Sequence, residues 1–413
     1  MMKRAGYILF LLFLTQTAFA EIEEKVQVGI MEVWVKVTDK QGHPISDLQP
    51  TDFQVYVDGQ NMDLRCFNKT FYDATASFDE APPGRKFVFF FDLLNTLPGD
   101  MDFLKNGITR FLLDSFQDND QGMVFALLPS YHLGVVQKMT SNKQSLIATI
   151  RRMRGNMSLG TTVESNEKQL MNMLFQFDTT ADSNPQAERG VGQRPMDTLH
   201  TAQSLVRNFA AQEENRSRFT LDAFTSIAEY LAGFPMEGPV ALLYVSGGFP
   251  TNPGEQYYEM LDRVLEERFA ANMGSFSVME HPRYDMQDEI RTTVGGLNRM
   301  NVTIYSLDAK GLLLNAVGAE RDALQATKGL HMLARNQQLQ DSLVLVARET
   351  GGIAFTNSQN FTNGLADIAR DMNEQYLLCA SLPASNKRGS YHKIEVKVSR
   401  PNVNVRHRKG YID

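Results

Sequence analysis

The stretch Phe89-Phe90-Phe91-Asp92-Leu93-Leu94-Asn95-Thr96 runs three aromatic rings into a single carboxylate. A continuous apolar run is the mark of a strand buried on both faces of a parallel sheet. An acid at its tip has two readings. It can hold a hard cation, which prefers oxygen ligands, or it can accept backbone N–H groups and order the turn. Other chemistry is weaker. The histidines at 43, 132, 200, 281, 331, 392 and 407 have no metal-ligand spacing, and neither Cys66 nor Cys379 belongs to a C-x-x-C pair. Ser246 in Val-Ser-Gly-Gly is not a G-x-S-x-G nucleophile elbow. The pairs Gly295-Gly296 and Gly351-Gly352 lack the flanking residues of phosphate-binding loops. No enzyme is expected.

The elements that would position Asp92 follow from periodicity. Residues 26–68 alternate as strands do, with Val33, Val35 and Val37 on one face and Phe53, Val55 and Val57 repeating the pattern. Asp58-Gly59 marks a hairpin turn. A polar linker with Pro82-Pro83-Gly84 follows, and then strands alternate with helices: strand 86–91, helix 101–115, strand 122–128, helix 143–153, strand 240–245, helix 256–271, strand 301–307, helix 341–349, strand 353–355 and helix 362–376. This argues for an α/β layer with a doubly wound, mostly parallel sheet and helices on both faces. Two regions interrupt the alternation. Residues 164–235 hold helices at 163–177 and 198–233 around a polar segment, 178–196, and residues 272–299 read as a surface insertion without a clear period. The chain ends in strand-like segments 376–381, 391–399 and 404–411. These pair with the N-terminal strands in one sandwich, or the two ends form separate β units. The expected organisation is a leader at 1–20, a β module at 21–72, a linker at 73–85, an α/β domain at 86–374 and a β segment at 375–413.

Residues 1–20 have a basic start, an apolar centre and an Ala-Phe-Ala end, the layout of a secretory leader. Its apolar stretch is shorter than the roughly 20 residues a membrane span needs, and no later run is long enough to cross a bilayer. The formal charge is −7, and more negative without Lys3 and Arg4. A mildly acidic chain does not bind nucleic acid through its phosphates. The expected location is secreted or periplasmic, where Cys66 and Cys379 pair as a disulfide or stay as buried thiols. The basic end at Arg400, Arg406, His407, Arg408 and Lys409 reads as a solvated strand edge.

The ordered series VWVKVTDKQGHPISDLQPTDFQVYVDGQ, ARETGGIAFTNSQNFTNGLADIARDMNEQYLL and HKIEVKVSRPNVNVRHRKGYID resembles the von Willebrand factor A-related domain proteins of the secreted, Acidobacterial type. The resemblance covers nearly the whole chain after the leader. It implies a von Willebrand A-like fold, with a ligand site at the carboxyl ends of the strands. In metal-binding members the first strand ends in D-x-S-x-S, and a Thr from a second loop and an Asp from a third complete an oxygen cage for Mg²⁺. Here Asp92 and Thr96 match the first motif, but Leu94 replaces its first serine. Thr161, or its neighbour Thr162, matches the second loop, and Ser246-Gly247-Gly248 has glycine where the third carboxylate belongs. The implied metal set is Asp92, Thr96 and Thr161, a degenerate site holding Mg²⁺ weakly or not at all unless Asp100 or Asp102 helps. The implied function is a non-enzymatic extracytoplasmic module that binds a protein partner through Asp92, Asn95, Thr96, Thr161, Thr162 and Ser246. Two alternatives stay open: an Mg²⁺-dependent adhesion domain using the same loops, and a structural or assembly component of the cell envelope whose β modules make the contacts.

Overall fold

Side chains along residues 86–92 decide how the molecule is layered. Phe87, Phe89 and Phe91 enter one buried cluster and Val88 and Phe90 another, because successive side chains of a strand point to opposite faces. A computed structural model describes residues 30–71, 84–179, 194–234, 238, 240–269, 285–311, 323–357, 361–382 and 389–412. The expected leader at 1–20, linker residues 73–83, most of the polar segment at 178–196 and residues 272–284 lie outside the described residues.

In chain order the first strands are β1 (Ile30–Thr38), β2 (Phe53–Val57), β3 (Gln60–Met62) and β4 (Leu64–Phe71). Next come β5 (Lys86–Asp92), α1 (Met101–Asp114), β6 (Gln121–Leu127), β7 (Leu133–Thr140) and α2 (Lys143–Arg151). Helices α3 (Met157–Thr179) and α4 (Arg194–Ala232) precede β8 (Val240–Ser246), α5 (Glu255–Phe269) and α6 (Gln287–Arg299). Then follow β9 (Val302–Asp308), α7 (Ala323–Glu349), β10 (Ala354–Phe355) and α8 (Phe361–Asn373). The chain closes with β11 (Glu374–Ser381), β12 (Tyr391–Val398), β13 (Asn404–Arg406) and β14 (Gly410–Ile412).

The protein is mixed α/β. Its main sheet has six strands in the order β10-β9-β8-β5-β6-β7, parallel except for the antiparallel edge strand β7. Helices α1, α2 and α8 cover one face through Leu104, Ile108, Leu146, Ile150, Leu365 and Ile368. Helices α4, α6 and α7 cover the other through Phe224, Ile227, Ile290, Val294, Leu343 and Val346.

Two four-stranded sheets, β13-β1-β11-β4 and β14-β12-β2-β3, complete the fold. Each mixes strands from both chain ends, and Val33, Val35, Phe53, Val55, Tyr376, Leu378 and Ile394 share one core. One sandwich is thus assembled from both termini, and helix α8 runs directly into its strand β11. Cys66 and Cys379 face each other across β4 and β11 with Cα atoms 4.8 Å apart, and they form a disulfide.

Two expectations change. The segments read as interruptions supply core: α4 places Leu221, Phe224, Ile227 and Leu231 against the sheet, and α6 does so with Ile290, Val294 and Leu297. Helix α4 follows the helix expected at 198–233, whereas the polar residues around α6 hid its stripe. The basic C-terminal run is a seam and not a solvated edge. Arg406 grips Asp371 through two contacts of 2.7 and 2.6 Å, Arg408 donates to Glu32 O at 2.6 Å and to Asn298 O, and His407 is buried. Lys36 Nζ adds a bond to Thr303 Oγ1 at 3.2 Å, tying the sandwich to the main sheet.

Candidate functional site

From β5 the chain passes to β6 on one side, whereas β8, on the other side of β5, leads on to β9. The crevice between the carboxyl ends of β5 and β8 is therefore a topological switch point, where open α/β sheets place their ligands. Asp92 ends β5 and Ser246 ends β8, so the sequence put its candidate acid and hydroxyl on the two sides of that crevice.

Asp92 is 0% exposed. Its Oδ2 accepts from Asn95 Nδ2 at 2.9 Å, Tyr244 OH at 2.8 Å and Ser246 Oγ at 2.9 Å, and its Oδ1 accepts from Asn95 N at 3.2 Å. Burial pushes the carboxyl above its ordinary range, and the hydrogen bonds from Asn95, Tyr244 and Ser246 pull the other way. Burial, and then the charge of Asp92, raises the Tyr244 phenol well above its usual value, so it acts as a donor. Thr96 Oγ1 donates to Asp92 O at 2.7 Å and accepts from Gly247 N at 3.1 Å. Gly248 N donates to Ser246 Oγ at 3.0 Å, and Asn95 Nδ2 also donates to Thr220 Oγ1 of α4 at 2.8 Å. The knot ties the β5 and β8 loops to each other and to a covering helix.

The structure brings Asp92, Asn95, Thr96 and Ser246 together and buries all four. Thr161 and Thr162 lie elsewhere, at exposed positions of α3, and the Thr161 hydroxyl donates to Ser158 O at 2.9 Å within that helix. Asn156 starts the helix by accepting from Ser158 N at 3.1 Å, so the expected second loop is a helical turn. Asp102 is also turned away, pairing with Lys105 at 2.6 Å.

These residues do not fit Mg²⁺. Every Asp92 oxygen is occupied by donor hydrogens, Thr161 is not at the knot, and no side chain can be added at position 247. A Cβ there would stand 2.4 Å from Asn95 O, and one at Gly248, where φ is +79°, would stand 2.1 Å from Leu339 O. No group of three or more His, Cys, Asp or Glu residues that could hold a metal exists among the described residues.

Sequence reasoning missed a cavity of about 220 Å³ beside the knot. Leu94, at the D-x-S-x-S position where a serine was expected, lines it together with Pro129, Tyr131, Leu159, Val163 and Phe209. Neutral polar groups of Asn156, Ser158, Thr162, Asn166, Gln212 and Asn215 line the rest, beside the Glu213 and Arg216 pair. At its rim Tyr131 packs on Phe219 with ring centroids 4.6 Å apart, and both rings are part-exposed to solvent. Tyr131 holds φ at +61°, a left-handed value costly for a bulky side chain. Met157, next to the lining residues Asn156 and Ser158, is 85% exposed. The signal that could have found this rim was the apolar Leu128-Pro129-Ser130-Tyr131 turn after a buried strand.

No protein-family model and no curated protein matches this chain. Among solved structures it is similar to an aerotolerance-related membrane protein from Bacteroides fragilis, at 11% identity and TM-score 0.32 over 70% of this chain and 99% of that one. A conserved hypothetical protein, BatB from Bacteroides thetaiotaomicron, matches at 11% identity and TM-score 0.27 over 70% and 97%. The three N-terminal domains of the type V pili tip protein Mfa5 from Porphyromonas gingivalis match at 9% identity and TM-score 0.30 over 94% and 68%. Among the described residues no helix is long and apolar enough to cross a membrane.

Proposed function

We propose that the chain is a von Willebrand A-like, non-enzymatic, extracytoplasmic module that docks a protein partner at the carboxyl ends of its main sheet without a metal ion. The observation that carries this reading is the strand-end cavity, lined by Leu94 and the exposed Tyr131, with exposed Phe219 packed on Tyr131 and exposed Met157 beside the lining residues Asn156 and Ser158. Aromatic and methionine side chains around a recess are the anchors that protein interfaces favour. The strained Tyr131 backbone supports it, since such strain persists where surrounding structure holds a loop for use. Asp92, Asn95, Thr96 and Ser246 do not touch the partner in this reading. They hold the loops that do. The Cys66–Cys379 disulfide supports an oxidising compartment.

A photo-crosslinking amino acid placed at Tyr131 or Phe219, with a control at exposed Gln54 on the sandwich, tests this in the envelope fraction of the source cells. The expected result is one discrete covalent product from the first two positions, unchanged by EDTA, and none from the third. Products from position 54 alone would move the contact to the β sandwich. A product lost with EDTA would restore a metal-dependent adhesion site.

A further inference from the structure

Charge is unevenly matched at the wall of the strand-end cavity. Among the residues that line it, Glu213 and Arg216 are the charged ones, one helical turn apart on α4. Glu213 is buried and already served. Gly254 N donates to its Oε2 at 3.0 Å, Gln256 Nε2 donates to its Oε1 at 2.9 Å, and Arg335 Nη2 pairs with that Oε1 at 2.9 Å. Arg216 Nη2 stands 3.6 Å from the same oxygen, too far for a hydrogen bond, and the buried Arg216 Nε has no hydrogen-bond partner among the described residues. Other acids near α4 are engaged elsewhere. Glu214 pairs with Arg218 at 3.0 Å, Glu289 pairs with Arg218 at 3.0 Å, and Glu167 of α3 lies in the field of Arg335. The cation on the cavity wall is therefore the loosely held one. Its place is fixed, because the next residue, buried Ser217, donates its hydroxyl to Pro250 O at 3.2 Å. Phe219, one turn further along α4, brings the exposed Tyr131–Phe219 ring pair to the same side of the helix.

We propose that Arg216 receives an acidic side chain of the docked partner, an Asp or Glu beside an apolar residue that meets Tyr131 and Phe219. This deepens the docking reading above and rests on it. A guanidinium fork matches a carboxylate with two parallel donors. The side-chain amides of Asn166 and Asn215, on the same wall, add neutral donors for that carboxylate. Size argues for a side chain as the occupant. The cavity of about 220 Å³ is smaller than the roughly 300–1,000 Å³ of small-molecule sites.

The test measures the crosslinked product from position 131 in the otherwise wild-type chain, Arg216→Lys, Arg216→Gln and Asn215→Asp, with thermal unfolding of each full chain as the folding control. Arg216→Gln should cut the yield about tenfold or more, the loss that a charged hydrogen bond implies. Arg216→Lys should cut it less, since it keeps the charge and loses the fork. Melting should stay near that of the wild type, because Gly254, Gln256 and Arg335 still hold Glu213. Should Arg216→Gln fail to fold, Asn215→Asp decides. It sets a negative charge at an exposed position of the wall, and the yield should fall by repulsion. Mass spectrometry of the product should find an Asp or Glu beside the crosslinked residue, and changing that acid to Lys should restore the product with Arg216→Glu. Equal yields from the wild type and a folded Arg216→Gln, or from the wild type and Asn215→Asp, overturn the proposal and leave the docking reading standing. No product at position 131 in the wild type overturns both. N-acetylglutamate bound by the wild type and not by Arg216→Gln, followed by saturation-transfer NMR, would then assign the recess to a free carboxylate.

Discussion

The two ends of the main sheet each bury an aspartate, and they neutralise it differently. At the amino end Asp120, 0% exposed, is gripped by Arg85 through Nε at 3.1 Å and Nη2 at 2.6 Å, with Arg85 N and Gln117 N adding bonds of 2.9 and 2.8 Å. At the carboxyl end Asp92, equally buried, accepts only from the neutral groups of Asn95, Tyr244 and Ser246. The first acid is closed by a full charge from the residue just before β5. No cationic group bonds the second. An end made only to be closed uses an ion pair with all its lone pairs filled. The carboxyl end, where open α/β sheets place their ligands, uses neutral donors instead.

The largest expected effect breaks the closed end. Arg85→Ala leaves Asp120 buried without its cation, and removing one partner of a buried pair costs about 3–5 kcal/mol. Urea unfolding should show the midpoint falling with an unchanged slope. A loss below about 1 kcal/mol would mean that water or the backbone donors alone satisfy Asp120, and the contrast between the two ends would collapse.

The open end should respond less, and its response should depend on pH. Asp92→Asn keeps one carbonyl acceptor and replaces the other oxygen by a donor facing Asn95, at a cost on the order of 1–2 kcal/mol. Burial holds the folded Asp92 carboxyl above its unfolded value, so the folded state takes up a proton first as pH falls. The wild type therefore loses stability relative to the titration-free variant as pH rises through that window. The variant's penalty should be largest near the unfolded carboxyl pKa of about 4 and smaller at neutral pH. All other titrations are common to both proteins and cancel in the difference. A penalty that grows with pH would show the donors outweighing burial, making Asp92 a stabilised anion.

How far the sequence exposed this arrangement depends on whether a residue's role is local. The apolar run ending at Asp92 located the main sheet, because a strand buried on both faces has a one-dimensional signature. The alternation of 33–37 and 53–57 located the sandwich strands, while the pairing of both termini into one sandwich is a matter of long-range register that no local pattern carries. Edge strand β7 escaped, since Leu-Gly-Val-Val-Gln-Lys-Met-Thr neither alternates nor runs apolar and has no fully buried residue. The start of α3 escaped for a different reason. Gly160, Thr161 and Thr162 are poor helix formers, and the cap at Asn156 with its bond from Asn156 N to Thr96 O overrides their preference. That override moved Thr161 out of the site. Tyr244 was legible as core and illegible as a donor, because its partner lies 152 positions away.

Tyr244→Phe makes the finest cut between the two ends. The ring stays where it stacks on Phe90, with centroids 5.3 Å apart, and meets Phe224 edge-on at 4.9 Å, so packing is preserved. The 2.8 Å bond to Asp92 is lost. If Asp92 were a committed ion like an acid in a salt bridge, losing a donor would cost the 1.5–3 kcal/mol typical of charged hydrogen bonds, roughly. With Asn95 and Ser246 still donating, and burial already favouring protonation, the expected cost is about 0.5–1 kcal/mol at neutral pH, vanishing toward acid. Paired denaturation curves for the wild type and the variant near pH 4 and pH 7 measure it. A loss that persists unchanged at the lower pH would mean that the phenol supports the loop through its position alone, and the knot would then be as closed as the opposite end.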